Sequence, residues 1–558
     1  MKYLTTSLFI LAIVIGFITR GYMLGEAPHG LYLDEAGQGY SAYSIYLTGK
    51  DEFGMPFPVV FRSFTDFKTP VYIYLVTPLI PYLGLTKLAV RFPSFFFSIL
   101  TFPLVYLLIK KILPKAFPHP TFLAALSVLL LSLSPWHILF GRTNFECNVA
   151  LFFFLTGVYF FYKALKKPWY FVLAGVLFAI AIPSYHSQRL VTPFVVLALS
   201  MRHSKKIRQR PYRAPIIVGA ILGFVILLPT LSVATTPGFL ARATGLNIFS
   251  HHRQAPAGYL SDYTGPMAPL VNSSLYLSTK EFAALYTSYF SPRQMFHLGD
   301  YGPRSSFPYI GTFFLWQLPF YIHGLYLLIK RKDLAEYRFF TIALMLIAPI
   351  PAAITRDPYA TIRALPLVIP QTMVISLSLY TLFLSVAHNK RRLLPLFIAL
   401  GTGVVFYSLV KLYSSVIILN EYYRGSEWNY GWEEVSQEIK RMDATLPIVV
   451  DNSRSEPYSQ LLFFLSYDPT KFQNENFEVT NEEYYTNMER NLTKHIGNIV
   501  TRPIHWDTDV WKVQYLIGDA LAISDQQIAI HGLELIRDIR YPDGTIAFRV
   551  VKTNGSGQ

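Results

Sequence analysis

Cysteine is almost absent from this 558-residue chain. Cys147 stands alone, which excludes an intramolecular disulfide and any cysteine-built metal centre. Charge is scarce too: Asp, Glu, Lys and Arg make up 15% of positions, against about 25% in a soluble domain. No A-x-A-like cleavage site follows the apolar run at 4–19, so that run reads as a retained helix rather than a removed signal peptide. Internal repeats and low-complexity runs are missing as well. What fills the chain is apolar: 52% hydrophobic residues and 16% aromatics, more than a soluble fold buries. The composition is that of a polytopic α-helical membrane protein.

The net charge of +15 invites a nucleic-acid partner, but its distribution argues against one. Apolar spans fall at about 4–20, 91–109, 121–138, 145–162, 169–184, 189–201, 214–232, 309–329, 337–354, 364–386 and 393–413. Basic clusters sit between alternate spans: Lys110-Lys111 with Lys115, Lys163 with Lys166-Lys167, Arg202 to Arg213, Lys330-Arg331-Lys332 and Lys390-Arg391-Arg392. All lie on one side if the N-terminus is cytoplasmic and about eleven helices cross. The apolar segment 70–84 would invert that pattern if it crossed, so it is expected along the outer interface.

Two domains follow: a membrane domain over 1–413, with outer loops at 21–90 and 233–308, and a tail over 414–558. The tail has the composition of a soluble protein. Helical patterning at Trp432 to Met442 and strand patterning at 446–451, 513–517 and 545–551 predict a small extracytoplasmic α/β domain.

Asp34 and Glu35 form an adjacent acidic pair just beyond the first span, followed by aromatic and apolar residues. Carboxylates held at a membrane face suit proton abstraction from a hydroxyl. Arg91, Arg142, Arg189, Arg356 and Arg363 fall at outer span ends, where the positive-inside bias disfavours them. Guanidinium forks suit the phosphate of a lipid at that depth, and Lys68 adds a point charge. Each arginine is equally consistent with snorkelling or with pairing to a helix end.

The ordered set of motifs resembles the GT-C type membrane glycosyltransferases, in particular the bacterial protein O-mannosyltransferase and aminoarabinose transferase group (glycosyltransferase family 39-like). Asp34-Glu35 is similar to that family's acidic pair, Lys68-Thr-Pro-Val-Tyr72 to its Lys-Pro-Pro-Leu-Tyr element, and Arg91-Phe-Pro-Ser94 to its Arg-Leu-Pro-Ser. Leu133-Ser-Pro-Trp-His137 with Arg142, Ser184-Tyr-His-Ser-Gln-Arg189, Thr355-Arg356-Asp-Pro-Tyr359 with Arg363, and Glu427-Trp-Asn-Tyr-Gly431 continue the likeness in order.

The resemblance implies an inverting transfer of a sugar from a polyprenyl-phosphate donor to a hydroxyl acceptor on protein, lipid or glycan, at the outer face of a bacterial plasma membrane. It makes Asp34 the general base and Glu35 a residue that orients the site or binds a cation. Lys68 and the five arginines become the donor-phosphate contacts. Tyr72, His137, Tyr185 and His186 are candidate sugar or acceptor contacts, with packing or interface anchoring as the alternative. No cofactor is required, and a divalent cation is compatible. Two departures stand out. Phe67 occupies the place of a glutamate, leaving Asp66 as the nearest acid, and Tyr359 replaces a histidine.

His251-His252 has ligand chemistry but no spaced carboxylate partner for a metal. Asn272-Ser-Ser274, Asn491-Leu-Thr493 and Asn554-Gly-Ser556 fit a glycosylation tripeptide that arises often by chance. A transporter or flippase of a lipid-linked anionic sugar is the alternative function. Against it, the chain shows neither paired halves nor a clear mid-span ionisable residue.

Overall fold

The computed structural model describes residues 1–63, 66–245, 247–249, 265–355, 357–476, 480–488, 491 and 493–556. Two compact units emerge. The first comprises 1–22, 93–235 and 240–415; the second comprises 23–92, 236–239 and 416–558. The sequence pattern divides the chain near 413, whereas in the structure the segment 23–92 packs into the same unit as the tail.

Nearly all the apolar helices belong to the first unit. Seven helices are long and apolar enough to cross a membrane, and the pair Pro120–Leu133 and Pro135–Arg142, bent by 63°, makes an eighth span. Pro135 at the first position of the second half causes the break, since it cannot donate into the preceding turn. Three further expected spans appear as shorter helices: Tyr170–Ser184, Gln188–Arg202 and Leu318–Lys330. The last begins nine residues after the expected start at 309, with Pro319 in its first turn, where a missing N–H costs no helical hydrogen bond. With no hydrophobic drive between helices in lipid, close backbone approach replaces it. At the crossing of Tyr170–Ser184 with Arg210–Ser232, a Cβ on Gly175 would lie 2.5 Å from the Gly219 carbonyl oxygen.

The segment expected along the interface forms a run of short helical pieces from Pro70 to Leu83 in the second unit. This unit also holds two sheets. β1 (Phe61–Ser63) and β2 (Asp66–Lys68) pair antiparallel. The six-stranded sheet contains β3 (Ile448–Val450), β4 (Lys494–Ile496), β5 (Ile499–Thr501), β6 (Tyr515–Gly518), β7 (Glu534–Arg540) and β8 (Ile546–Lys552). Their order is β4-β5-β3-β6-β8-β7, with β3 parallel to β5 and β6 and the outer pairs antiparallel.

Alternation along the strands separates two cores. Ile448, Val450, Ile517 and Val550 face a cluster that includes Tyr40, Trp432 and Leu461. Val449, Leu516 and Val551 face Ile523 and Leu533 on the other side.

A buried polar cluster ties the loop after the Leu33–Thr48 helix to the tail segments of the same unit. Asp51 accepts from the Phe53 and Met55 amides at 3.0 and 2.9 Å and from the Tyr484 hydroxyl. Glu52 accepts from the Tyr458 hydroxyl at 3.4 Å, and its Oε2 has no hydrogen-bond partner among the described residues. Burial pushes the Asp51 carboxyl up to about 7, and burial with the adjacent Asp51 pushes Glu52 up to about 8. Burial lowers Lys494 to about 8.

Both acids bind protons more tightly folded than unfolded. The stability they contribute is complete below their ordinary values of 3.8 and 4.5 and is lost as pH rises through 7 and 8. Lys494 acts in the opposite sense, and only above about 8. Each acid should cost about 1.4 kcal/mol per pH unit across its window. Thermal unfolding of the purified protein should therefore show a falling midpoint between about pH 5.5 and 8. Asp51→Asn combined with Glu52→Gln should flatten that slope; an unchanged slope would refute the assignment.

Candidate active site

The acidic pair opens a helix. Leu33–Thr48 begins just after an extended Tyr32, and Asp34 and Glu35 lie in its first turn, where carboxylates interact favourably with the helix dipole. Glu35 Oε2 accepts from the Tyr32 amide at 3.1 Å, which satisfies one of the donors left open at the helix start.

The two carboxylates then diverge. Glu35 is fully buried and meets Arg91, also fully buried, through Nε at 3.1 Å and Nη2 at 3.0 Å. The remaining Arg91 donors go to the carbonyls of Leu24 at 3.3 Å, Pro28 at 2.8 Å and Gly30 at 2.7 Å. A guanidinium has five N–H groups, and here five acceptors use them. The same turn is packed against the tail segment of its own unit: a Cβ on Gly30 would fall 2.0 Å from the Trp428 carbonyl oxygen.

Asp34 is partly exposed, with 23% of its side chain accessible, and Lys68 Nζ donates to its Oδ2 at 2.9 Å. Lys68, at the end of β2, is 8% exposed and also lies 3.5 Å from Asp66 Oδ2. The strand pair β1–β2 and the helix that starts at Pro70 fix this lysine between two carboxylates. Among the described residues Lys68 is the recorded side-chain partner of Asp34, so Oδ1 stays open to an incoming hydroxyl.

The structure corrects four sequence expectations, those for Arg91, Tyr72, His137 and Arg142. Arg91 is no phosphate contact, since its donors are consumed within the fold. Tyr72 is fully buried and donates to the Val90 carbonyl at 2.9 Å, so it holds the backbone next to Arg91 rather than a sugar. His137 is fully buried in the first unit, where its Nδ1 lies 2.8 Å from Arg20 Nη2.

Arg20 itself escaped notice as a mere span boundary. It is completely buried and also bonds Ser98 Oγ at 2.8 Å and the Ser132 carbonyl at 2.9 Å. No local pattern announces this role, because apart from the neighbouring Thr19 hydroxyl its partners lie 78 or more positions away.

The other expected cations lie in the first unit. Arg142 is buried and donates to the Thr19 and Arg20 carbonyls at 3.0 and 3.3 Å, capping the end of the first helix. Arg189 is partly exposed in the first turn of Gln188–Arg202, preceded by buried Tyr185 and partly exposed His186. Arg363 is 21% exposed and pairs with Asp357. Arg356 and His251-His252 lie outside the described residues. Among the described residues no group of three or more His, Cys, Asp or Glu side chains is placed to hold a metal ion.

Asp300 is a further residue that sequence reasoning missed. Its Oδ2 accepts from both the amide and the hydroxyl of Thr361, each at 2.6 Å, and its Oδ1 from the Gly302 amide at 2.8 Å. Burial pushes its carboxyl up to about 6. It fixes the turn between Tyr359, whose φ is 53°, and Arg363. Tyr359 stacks on Tyr289 at 5.4 Å and bonds Thr312 Oγ1 at 2.9 Å, so the tyrosine in the expected histidine's place is a packing residue.

Comparison with known proteins agrees with this architecture. Residues 68–232 match the family described as dolichyl-phosphate-mannose-protein mannosyltransferase. Comparison with curated proteins gives no match. The apo structure of ArnT from Cupriavidus metallidurans is similar at a TM-score of 0.53 and 12% identity, covering 99% of this chain and 98% of that one. The same protein bound to undecaprenyl phosphate gives equal values: a TM-score of 0.53, 12% identity, and coverage of 99% and 98%. The oligosaccharyltransferase AglB of Archaeoglobus fulgidus, in complex with an inhibitory peptide and a dolichol-phosphate, aligns at 0.48 with 12% identity, over 98% of this chain and 74% of that one. The chain therefore shares the fold of ArnT over nearly its whole length, and residues 68–232 match the mannosyltransferase family model.

Proposed function

We propose that the chain transfers a sugar from a polyprenyl-phosphate donor to a hydroxyl acceptor, with inversion, at the outer face of a bacterial plasma membrane. The observation that carries this reading is Asp34, a carboxylate at a helix start, steadied by Lys68 through one oxygen and open at the other. In a single displacement the acceptor oxygen bonds to the anomeric carbon as the carbon–oxygen bond to phosphate breaks. The acceptor proton passes to Asp34 Oδ1, and polyprenyl phosphate departs with the bonding pair.

No general acid is needed, because the phosphate leaves as an anion. Cations stabilise it, and Lys68, held at the Asp34 carboxylate, is the proposed contact in the second unit. The step does not require a divalent ion. Glu35 is a positioning residue here: through Arg91 it holds the helix start that presents Asp34.

ArnT of Cupriavidus metallidurans, crystallised with undecaprenyl phosphate, supports a lipid phosphate as the leaving group. Basic residues in the last turns of Lys87–Ile112, Glu146–Ala164, Gln188–Arg202 and Leu318–Lys330 support a cytoplasmic N-terminus and an extracytoplasmic tail. The test is a panel of polyprenyl-phosphate sugars offered to the protein in lipid, with release of free polyprenyl phosphate as the readout. Release from at least one sugar is expected, and that sugar names the specificity. Binding without release, with or without acceptor present, would instead favour a transporter.

A further inference from the structure

We propose that the tail carries a second binding site, for one neutral sugar unit, in the crevice at the carboxyl ends of β3 and β6. These strands are parallel neighbours, and their onward connections diverge. After β3 the chain runs to β4 and β5 on one side, and after β6 it runs to β7 and β8 on the other. Open α/β sheets bind ligands at such a reversal, because neither connection covers the strand ends.

A cavity of about 180 Å³ opens at that place in this unit. At roughly 30 Å³ per water it has room for about six waters, the size of one sugar ring rather than of an oligosaccharide.

The lining identifies the ligand class. Its one cation is spent: Arg454 donates through Nε and Nη2 to the two oxygens of Asp519, both at 2.7 Å. Asp519 also accepts from the Leu521 and Ala522 amides, and Asp451 from the Ser453 amide and hydroxyl. An anion would find Arg454 already paired and, beside it, the Asp451 carboxylate, which has no ion-pair partner among the described residues.

The neutral groups are different. The Asn429 amide and the hydroxyls of Tyr430, Tyr541 and Ser455 line the cavity without a side-chain hydrogen bond among the described residues. The rings of Tyr430 and Tyr541 stand 6.1 Å apart at 49°, offering an apolar face beside these donors and acceptors. A ring with one apolar face and several hydroxyls fits both. The site is independent of the transfer reaction and requires none of its residues.

The test uses the full-length protein in detergent, with methyl glucoside, methyl mannoside and glucuronate as probes and saturation-transfer NMR as the readout. Neutral glycosides should bind with dissociation constants on the order of millimolar. Tyr541→Ala should weaken them about tenfold through loss of ring contact, and Ser455→Ala about threefold. Asp34→Asn should leave them unchanged. Should Tyr541→Ala lower the thermal midpoint, Ser455→Ala decides, since that hydroxyl holds no other group.

The proposal fails if the wild type binds no neutral glycoside, or if glucuronate competes equally. It fails too if Tyr541→Ala and Ser455→Ala both leave the signal at wild-type strength, which would place the glycoside elsewhere, the transfer site included.

Discussion

Asp34→Asn is expected to lower turnover by about 10²–10⁴-fold while leaving the thermal midpoint and donor binding near wild type. The substitution keeps shape and removes the negative charge that accepts a proton. Asparagine still offers a carbonyl oxygen to Lys68, and Asp66, 3.5 Å from the same Nζ, stays as its charged partner. The local fold should therefore survive.

Losing the ion pair could by itself slow the enzyme, so Lys68→Met is the control. It breaks the pair without touching the base. Its effect should fall mainly on KM for the donor, whereas Asp34→Asn should act on kcat and leave KM alone. If Asp34→Asn retained more than about a tenth of wild-type kcat, the proton acceptor would have to be sought elsewhere.

Much of this architecture was legible from composition and spacing, and the reasons differ by element. A helix expected at each apolar span is present because a run of apolar residues in lipid must close its own backbone hydrogen bonds. The tail strands at 448–450, 515–518 and 546–552 were readable from β-branched and aromatic alternation. β4, β5 and β7 were not: pairing rather than pattern defines β4 and β5, and Glu534, Arg537, Asp538 and Arg540 break the alternation along β7.

The site was legible in part for a related reason. Asp34 and Lys68 are polar groups in apolar surroundings, which sequence displays. The fate of a cation depends on which acceptors the fold brings to it, and those acceptors are backbone carbonyls. Arg91 draws three of its five from Leu24, Pro28 and Gly30, residues whose side chains carry no acidic signal. Arg142 likewise ends on the Thr19 and Arg20 carbonyls. Charge at a span end was thus visible, but whether it was already spent was not.

Arg91→Met should be the most destabilising single change in the second unit. It leaves the Glu35 carboxylate buried without its counter-charge and strands three carbonyls at once. Breaking a buried ion pair from one side costs about 3–5 kcal/mol, and each orphaned acceptor adds about 1–3 kcal/mol where water cannot reach it. That approaches the whole stability of an ordinary domain, so loss of the folded protein in detergent-solubilised membranes is the expected result.

Arg91→Lys should rescue little, because one ammonium cannot span five acceptors set in a planar fork. Glu35→Gln combined with Arg91→Met should be less damaging than the two single effects summed, because the pair's mutual dependence is removed with it. A double-mutant cycle by thermal unfolding measures that coupling directly. The opposite pattern, in which Arg91→Lys folds normally and only raises KM for the lipid donor, would return Arg91 to the phosphate and leave Glu35 as a catalytic-site acid. Full burial of both side chains, with every guanidinium N–H already matched, weighs against that outcome.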